Sequence, residues 1–146
     1  MSQENQPDFC NLTFTSAILD SISANIAVVD STGKILAVNR SWEDFAAINQ
    51  MSDNARLGIG VNYFDVCRAA GADPNARAAL KGILDVLQGR QSSFYHRYPC
   101  HSPDEQRWFA LRATPLIDYP RYVVVAHENI TEQVRAGIAD RPSKEE

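Results

Sequence analysis

The chain has 146 residues, 45% of them hydrophobic and 22% charged, with 18 Asp and Glu against 14 Lys and Arg for a net charge of −4. This is one domain's worth of average globular composition, enough for a single buried core. The acidic balance, with no cluster of Lys and Arg, argues against a nucleic-acid binder, which presents a basic face, and against a protein held on anionic lipid.

The opening residues MSQENQPDF are polar. No apolar run resembles a signal-peptide core or approaches the ~20 residues of a membrane span. A soluble cytoplasmic protein is expected, with residues 1–10 as a flexible tail. Cys10, Cys67 and Cys100 are odd in number, widely spaced and form no C-x-x-C pair. They read as reduced thiols rather than a disulfide framework.

From Thr15 to Ala24 the apolar positions Ala17, Ile18, Leu19 and Ile22 have helical spacing, with Thr15 or Ser16 as cap. Ile26–Val29 and Lys34–Val38 flank the turn cluster Asp30-Ser-Thr-Gly33 and predict a β-hairpin. Ser41-Trp-Glu-Asp44 has the form of a capping box and opens a helix carrying Trp42, Phe45, Ala46 and Ile48. Residues 51–62 read as loop. Tyr63–Ala70 reads as one or two helical turns burying Phe64 with Val66 or Cys67. A helix from Asp73 to Gln88 has Asp73 as cap, Pro74 at its first position and Gly89 to end it. Its apolar stripe is Ala76, Ala79, Leu80, Ile83, Leu84 and Leu87.

After Gly89 the period switches to two. Phe94, His96, Tyr98 and Cys100 alternate with Tyr95, Arg97, Pro99 and His101. Ser102–Glu105 is a turn, and Phe109, Leu111 and Ala113 then alternate with Trp108, Ala110, Arg112 and Thr114. A turn at Asp118–Arg121 precedes a last strand, Tyr122–Glu128. Asn129-Ile-Thr-Glu132 reads as a second capping box, starting a helix through about Ala139 that runs into the charged tail 140–146. The sum is one α+β domain over residues 11–139 with an antiparallel sheet, two strands from the front of the chain and three from the back.

This order resembles the PAS family. The resemblance rests on "ILDSISANIAVVDSTGKILAVNRSWEDFAA", where a helix and hairpin lead through Asn39 into a capped helix. It rests also on "RWFALRATPL" followed by "YVVVAHENITE". "GVNYFDVCRAA" and "YHRYPCHSPDEQRWF" look like a bacterial subgroup fused to histidine kinases or cyclic-di-GMP enzymes. The resemblance implies a five-stranded antiparallel sheet in the order 2-1-5-4-3, with short helices enclosing a cavity on one face. It implies a small organic ligand there, and a state relayed through terminal helices to an effector such as a histidine kinase or diguanylate cyclase. A homodimer packed through Ile18, Leu19 and Ile22 is the corresponding expectation. Most members end the last strand in Asp-Ile-Thr; here Asn129 replaces the Asp and cannot form its ion pair.

The flavin photoreceptor branch carries a reactive Cys after Gly-x-Asn. Here Gly60-Val-Asn62 is followed by Tyr63, which argues against a light-driven thiol adduct. Haem-binding relatives place a His on the long helix, and Asp73–Gln88 holds none. His96, Cys100 and His101 could suggest zinc, but His101 points to the opposite strand face, so a metal site is not expected. No nucleophile elbow, phosphate loop, kinase box or cyclase signature is present, and no catalytic residue is assigned. No cofactor is identified.

By the family match His127 faces the cavity. It is read either as a polar contact to a ligand, with pH sensitivity near neutrality, or as a histidine satisfied by a neighbour or water. Alternation adds Phe109, Leu111, Ala113, Val123, Val125, Phe94, His96 and Tyr98 to the cavity face, where the aromatics serve equally as core. Three functions compete: a ligand-responsive sensor, a ligand-free dimerisation module, and a small isomerase or dehydratase. The last needs an acid–base pair, and these positions offer no carboxylate.

Overall fold

The computed structural model describes residues 14–48, 58–101 and 103–137. The tails expected at 1–10 and 140–146, Cys10, and the loop residues 51–57 lie outside the described residues.

Chain order begins with α1 (Thr15–Asp20), shorter than the stretch to Ala24 that the spacing predicts. Phe14, not Thr15 or Ser16, stands at the cap position, without a side-chain bond. At the far end the Ser21 hydroxyl and N–H both return to the Ala17 carbonyl and close the helix early. β1 (Asn25–Val29) and β2 (Ile35–Val38) form the expected hairpin. In its turn, Asp30 Oδ1 accepts from the Thr32 and Lys34 N–H groups at 2.9 and 3.0 Å. Gly33 follows at φ 100°, a conformation that glycine adopts without a Cβ penalty.

Helix α2 (Arg40–Ile48) begins one residue before the expected box. Its cap is Asn39, only 1% exposed. Asn39 Oδ1 accepts from Trp42 N–H at 3.0 Å and from Ile26 N–H at 2.9 Å. Its Nδ2 donates to the Leu19 and Ala24 carbonyls, each at 2.9 Å. An amide has acceptor and donor sites enough to serve helix and strand together, which a serine hydroxyl lacks. Ser41 instead donates to the Ile22 carbonyl.

Asn62 caps α3 (Tyr63–Ala69), which buries Tyr63, Phe64 and Cys67. Asp73 caps α4 (Pro74–Leu87) by accepting from Asn75 N–H at 2.9 Å. The helix ends as expected: Gly89 has φ 79°, its N–H reaches Val86 O, and Arg90 N–H reaches Asp85 O at 2.8 Å. The buried face of α4 is Ala79, Gly82, Ile83 and Val86, whereas Leu80, Leu84 and Leu87 are half-buried. Gly82 turns the stripe: a Cβ there would strike the Phe94 ring, so the helix packs on the sheet through its glycine.

β3 (Phe94–Pro99), β4 (Trp108–Leu116) and β5 (Tyr119–Asn129) complete one antiparallel sheet in the order β2-β1-β5-β4-β3. The expected turn at Asp118–Arg121 moves to Ile117-Asp118, because Leu116 already pairs with Tyr119 and Asp118 adopts φ 70°. Helix α5 (Thr131–Arg135) stops short of Ala139, with Gly137 at φ 79°. Asn129 Oδ1 accepts from Thr131 N–H at 3.0 Å, but Ile130 holds the cap position. Thr131 Oγ1 accepts from Trp108 N–H at 2.9 Å and ties α5 to β4.

The core lies between the sheet and the helices. Ile35, Ile83, Val123 and Val125 are fully buried and Leu111 is 1% exposed. Each contributes about 1.5–3 kcal/mol relative to exposure. Among the described residues no helix is long and apolar enough to cross a membrane.

Candidate functional site

Register sets one row across the sheet: His96 pairs with Leu111, Leu111 with His127, and His127 with Asn25. Strand alternation turns the first three toward the helices. There a cavity of about 210 Å³ is bounded by Trp42 and Phe45 of α2, Tyr63, Val66 and Cys67 of α3, the start of α4, and His96, Tyr98, Leu111 and His127 of the sheet.

Its polar centre is a chain of three side chains. The Tyr63 hydroxyl lies 3.1 Å from His127 Nε2, and the Tyr98 hydroxyl lies 2.6 Å from His127 Nδ1. The Trp42 ring is tilted against the imidazole at 5.6 Å between centroids, and the Tyr98 ring meets it edge-on at 5.8 Å. Burial pushes the His127 imidazole down to about 4. The expectation of pH sensitivity near neutrality is therefore corrected: His127 is neutral there, because ringed by aromatics it loses the hydration that a cation needs. Burial also holds both tyrosines protonated, raising Tyr63 well above the ordinary phenol value and Tyr98 above it too. It pushes the Cys67 thiol up to about 11, which leaves it an inert thiol at neutral pH.

Toward the outside, His96 Nε2 is 2.9 Å from Asn75 Oδ1. Burial lowers the His96 pKa, opposed by the Asp73 carboxylate. Among the residues weighed for zinc, His101 Nδ1 accepts from Arg107 N–H, and Cys100 Sγ lies 3.8 Å from the Arg107 guanidinium. Among the described residues no three metal-ligating side chains gather.

Of the nine residues expected to line the cavity, the structure brings His127, Leu111, Tyr98 and His96 to it. The Phe109 ring is tilted against Phe45 at 5.1 Å between centroids and lines a separate polar groove with Arg107 and Asn129. Ala113, Val123 and Val125 are fully buried in the core, and Phe94 packs on Gly82. That groove is lined also by Ser23, Asn25, Ser41 and Asp44. Sequence reasoning missed Trp42, Phe45, Tyr63 and Cys67 as cavity residues. Tyr63 left a signal: it stands where the flavin branch carries its reactive cysteine, and Asn62 before it is a helix cap that turns the next side chain inward.

The family profile described as the PAS fold matches residues 19–135. An uncharacterized 104.1 kDa protein from the hypE 3′ region of Rhodobacter capsulatus is 40% identical over 124 residues, which are 83% of this chain. The chain spans 13% of the length of that relative. Among solved structures, the PAS domain of Bordetella pertussis BvgS superposes with a TM-score of 0.58 at 17% identity, over 92% of this chain and 97% of that one. The PAS domain of the Cronobacter turicensis quorum-sensing receptor RpfR, in complex with C12:0, gives 0.50 at 18% identity, over 75% and 96%. With the sheet order, the helices over one face and the profile match along most of its length, the chain belongs to the PAS family.

Proposed function

We propose that this PAS sensory domain binds a small organic ligand between sheet and helices. It passes the bound state through its terminal segments to an effector, of which a histidine kinase or diguanylate cyclase is the expected kind. The observation that carries this reading is the apolar cavity with three convergent polar side chains, Tyr63, His127 and Tyr98, at its centre. Such a lining suits orientation of a small molecule. It does not suit hydrolytic or isomerase chemistry: the one carboxylate on the lining, Asp73, is exposed and occupied in capping α4, so no buried acid partners His127. The domain then acts as a receptor rather than an enzyme, in the cytoplasm, with its output elsewhere in a longer polypeptide or on a partner. The R. capsulatus relative, of which the matched region is a small part, supports that arrangement.

A homodimer joined through α1 belongs to the same reading. Ile18 of α1 is 47% exposed and Ile22, two residues past its end, 38%, more apolar surface than this short solvent-facing segment needs. A monomeric mass by light scattering at ~100 μM would count against it, since a specific interface is populated at that concentration.

A second reading, a ligand-free interaction module, is favoured by one observation: both nitrogens of His127 already have partners. A native mass spectrum and visible absorption of the purified protein separate the two. A retained small-molecule mass establishes the receptor. A bare protein mass, with no affinity for any cavity-sized compound, establishes the module. In the receptor, His127→Leu abolishes ligand response; unchanged affinity would remove His127 from the site.

A further inference from the structure

The groups at the centre of the cavity carry a fixed number of protons. A neutral imidazole has one N–H and one bare nitrogen, so of the two hydroxyls that meet His127 one donates and the other accepts. The distances assign the roles. The 2.6 Å separation of Tyr98 Oη from Nδ1 has the length of a donating hydroxyl, and the 3.1 Å separation of Tyr63 Oη from Nε2 that of a donating N–H. Those lengths fit the tautomer in which Tyr98 donates to Nδ1 and Nε2–H donates to Tyr63. The Tyr63 proton is left over, and among the described residues its hydroxyl has no other hydrogen-bond partner. A buried O–H without an acceptor is costly, and a ligand that supplies the acceptor recovers that free energy.

Charge narrows the class. No Lys or Arg lines the cavity, so an anion would enter aromatic surroundings without a counter-ion. A cation would find the faces of Trp42 and Phe45 but no buried carboxylate. Resting on the ligand-binding reading above, we propose that the cavity selects a compact uncharged molecule with one hydrogen-bond acceptor, a carbonyl or ring nitrogen, which takes the Tyr63 proton.

Four probes of similar shape test this on the full chain by titration calorimetry: acetophenone, isopropylbenzene, benzoate and phenyltrimethylammonium. Acetophenone is expected to bind about tenfold or more tighter than each of the others. Tyr63→Phe should remove the advantage of acetophenone over isopropylbenzene. The 15N spectrum of His127 should show Nε2 protonated and Nδ1 bare. Equal or tighter binding of isopropylbenzene, benzoate or phenyltrimethylammonium overturns the proposal, as does a protonated Nδ1 or an acetophenone preference that survives in the variant. Should Tyr63→Phe not fold, the wild-type ranking and the 15N spectrum decide. A different winner, or binding of none of the four, overturns the selectivity, whereas the ligand reading itself falls only with the bare native mass described above.

Discussion

Asn39 and Asn129 both stand where a strand hands over to a helix, and the structure uses them in opposite ways. Asn39 is buried and bonds backbone groups of α1, β1, α2 and the segment between α1 and β1, so that they meet on one side chain. Asn129 is exposed and makes one short-range bond, to Thr131 N–H. The same residue type is thus a structural junction at the front of the chain and a light clasp at the back. A joint that must hold the fold together is overdetermined, and the joint at the end of β5 is free to change at low cost.

The largest expected effect breaks the front joint. Asn39→Ala strands two buried N–H groups and two carbonyls and should destabilise the domain by about 4 kcal/mol in urea unfolding. Acid loads the back half instead, through His127, which lies on β5 two residues before Asn129. Its pKa is about 4 when folded and near 6.5 when unfolded, so between those values the unfolded chain binds the extra proton. Stability is full above pH 6.5 and falls as pH drops toward 4, by at most about 3 kcal/mol. His96 titrates with the same sign, so the difference between wild type and His127→Gln isolates the term; parallel pH curves for the two would contradict it. Thr131→Val removes the acceptor of Trp108 N–H and should cost about 1–2 kcal/mol. Asn129→Ala should cost only about 0.5 kcal/mol, with faster hydrogen exchange confined to α5. A loss at Asn129 as large as at Asn39 would erase the contrast.

Much of the fold is legible in the sequence because its signals are local. The Asp73-Pro74 start and Gly89 end of α4, the Asp30–Gly33 turn and the two-residue period of β3 and β4 each follow from backbone chemistry within a few residues. What escaped reading depends on contacts distant in sequence. Beyond its local cap bond to Trp42, Asn39 becomes a junction because Ile26, Leu19 and Ala24 come within its reach. The face of α4 is turned by Phe94 lying over Gly82. Alternation identified the inward side of each strand, but not which part of that side the helices leave uncovered. Ala113, Val123 and Val125 therefore share a face with His127 without sharing its cavity. Tyr63 joins the site across 64 residues of chain, a pairing no spacing rule reports.

The depressed basicity of His127 bears on signal quality. A receptor built around a histidine that titrated near neutrality would change its own recognition chemistry whenever ambient acidity drifted, and background fluctuation would pass for a message. Here the imidazole keeps one charge state down to about pH 4. In the receptor proposed above, the Tyr63–His127–Tyr98 chain would offer the same donor and acceptor throughout the near-neutral range, so that a response would report the bound molecule rather than the proton concentration around it.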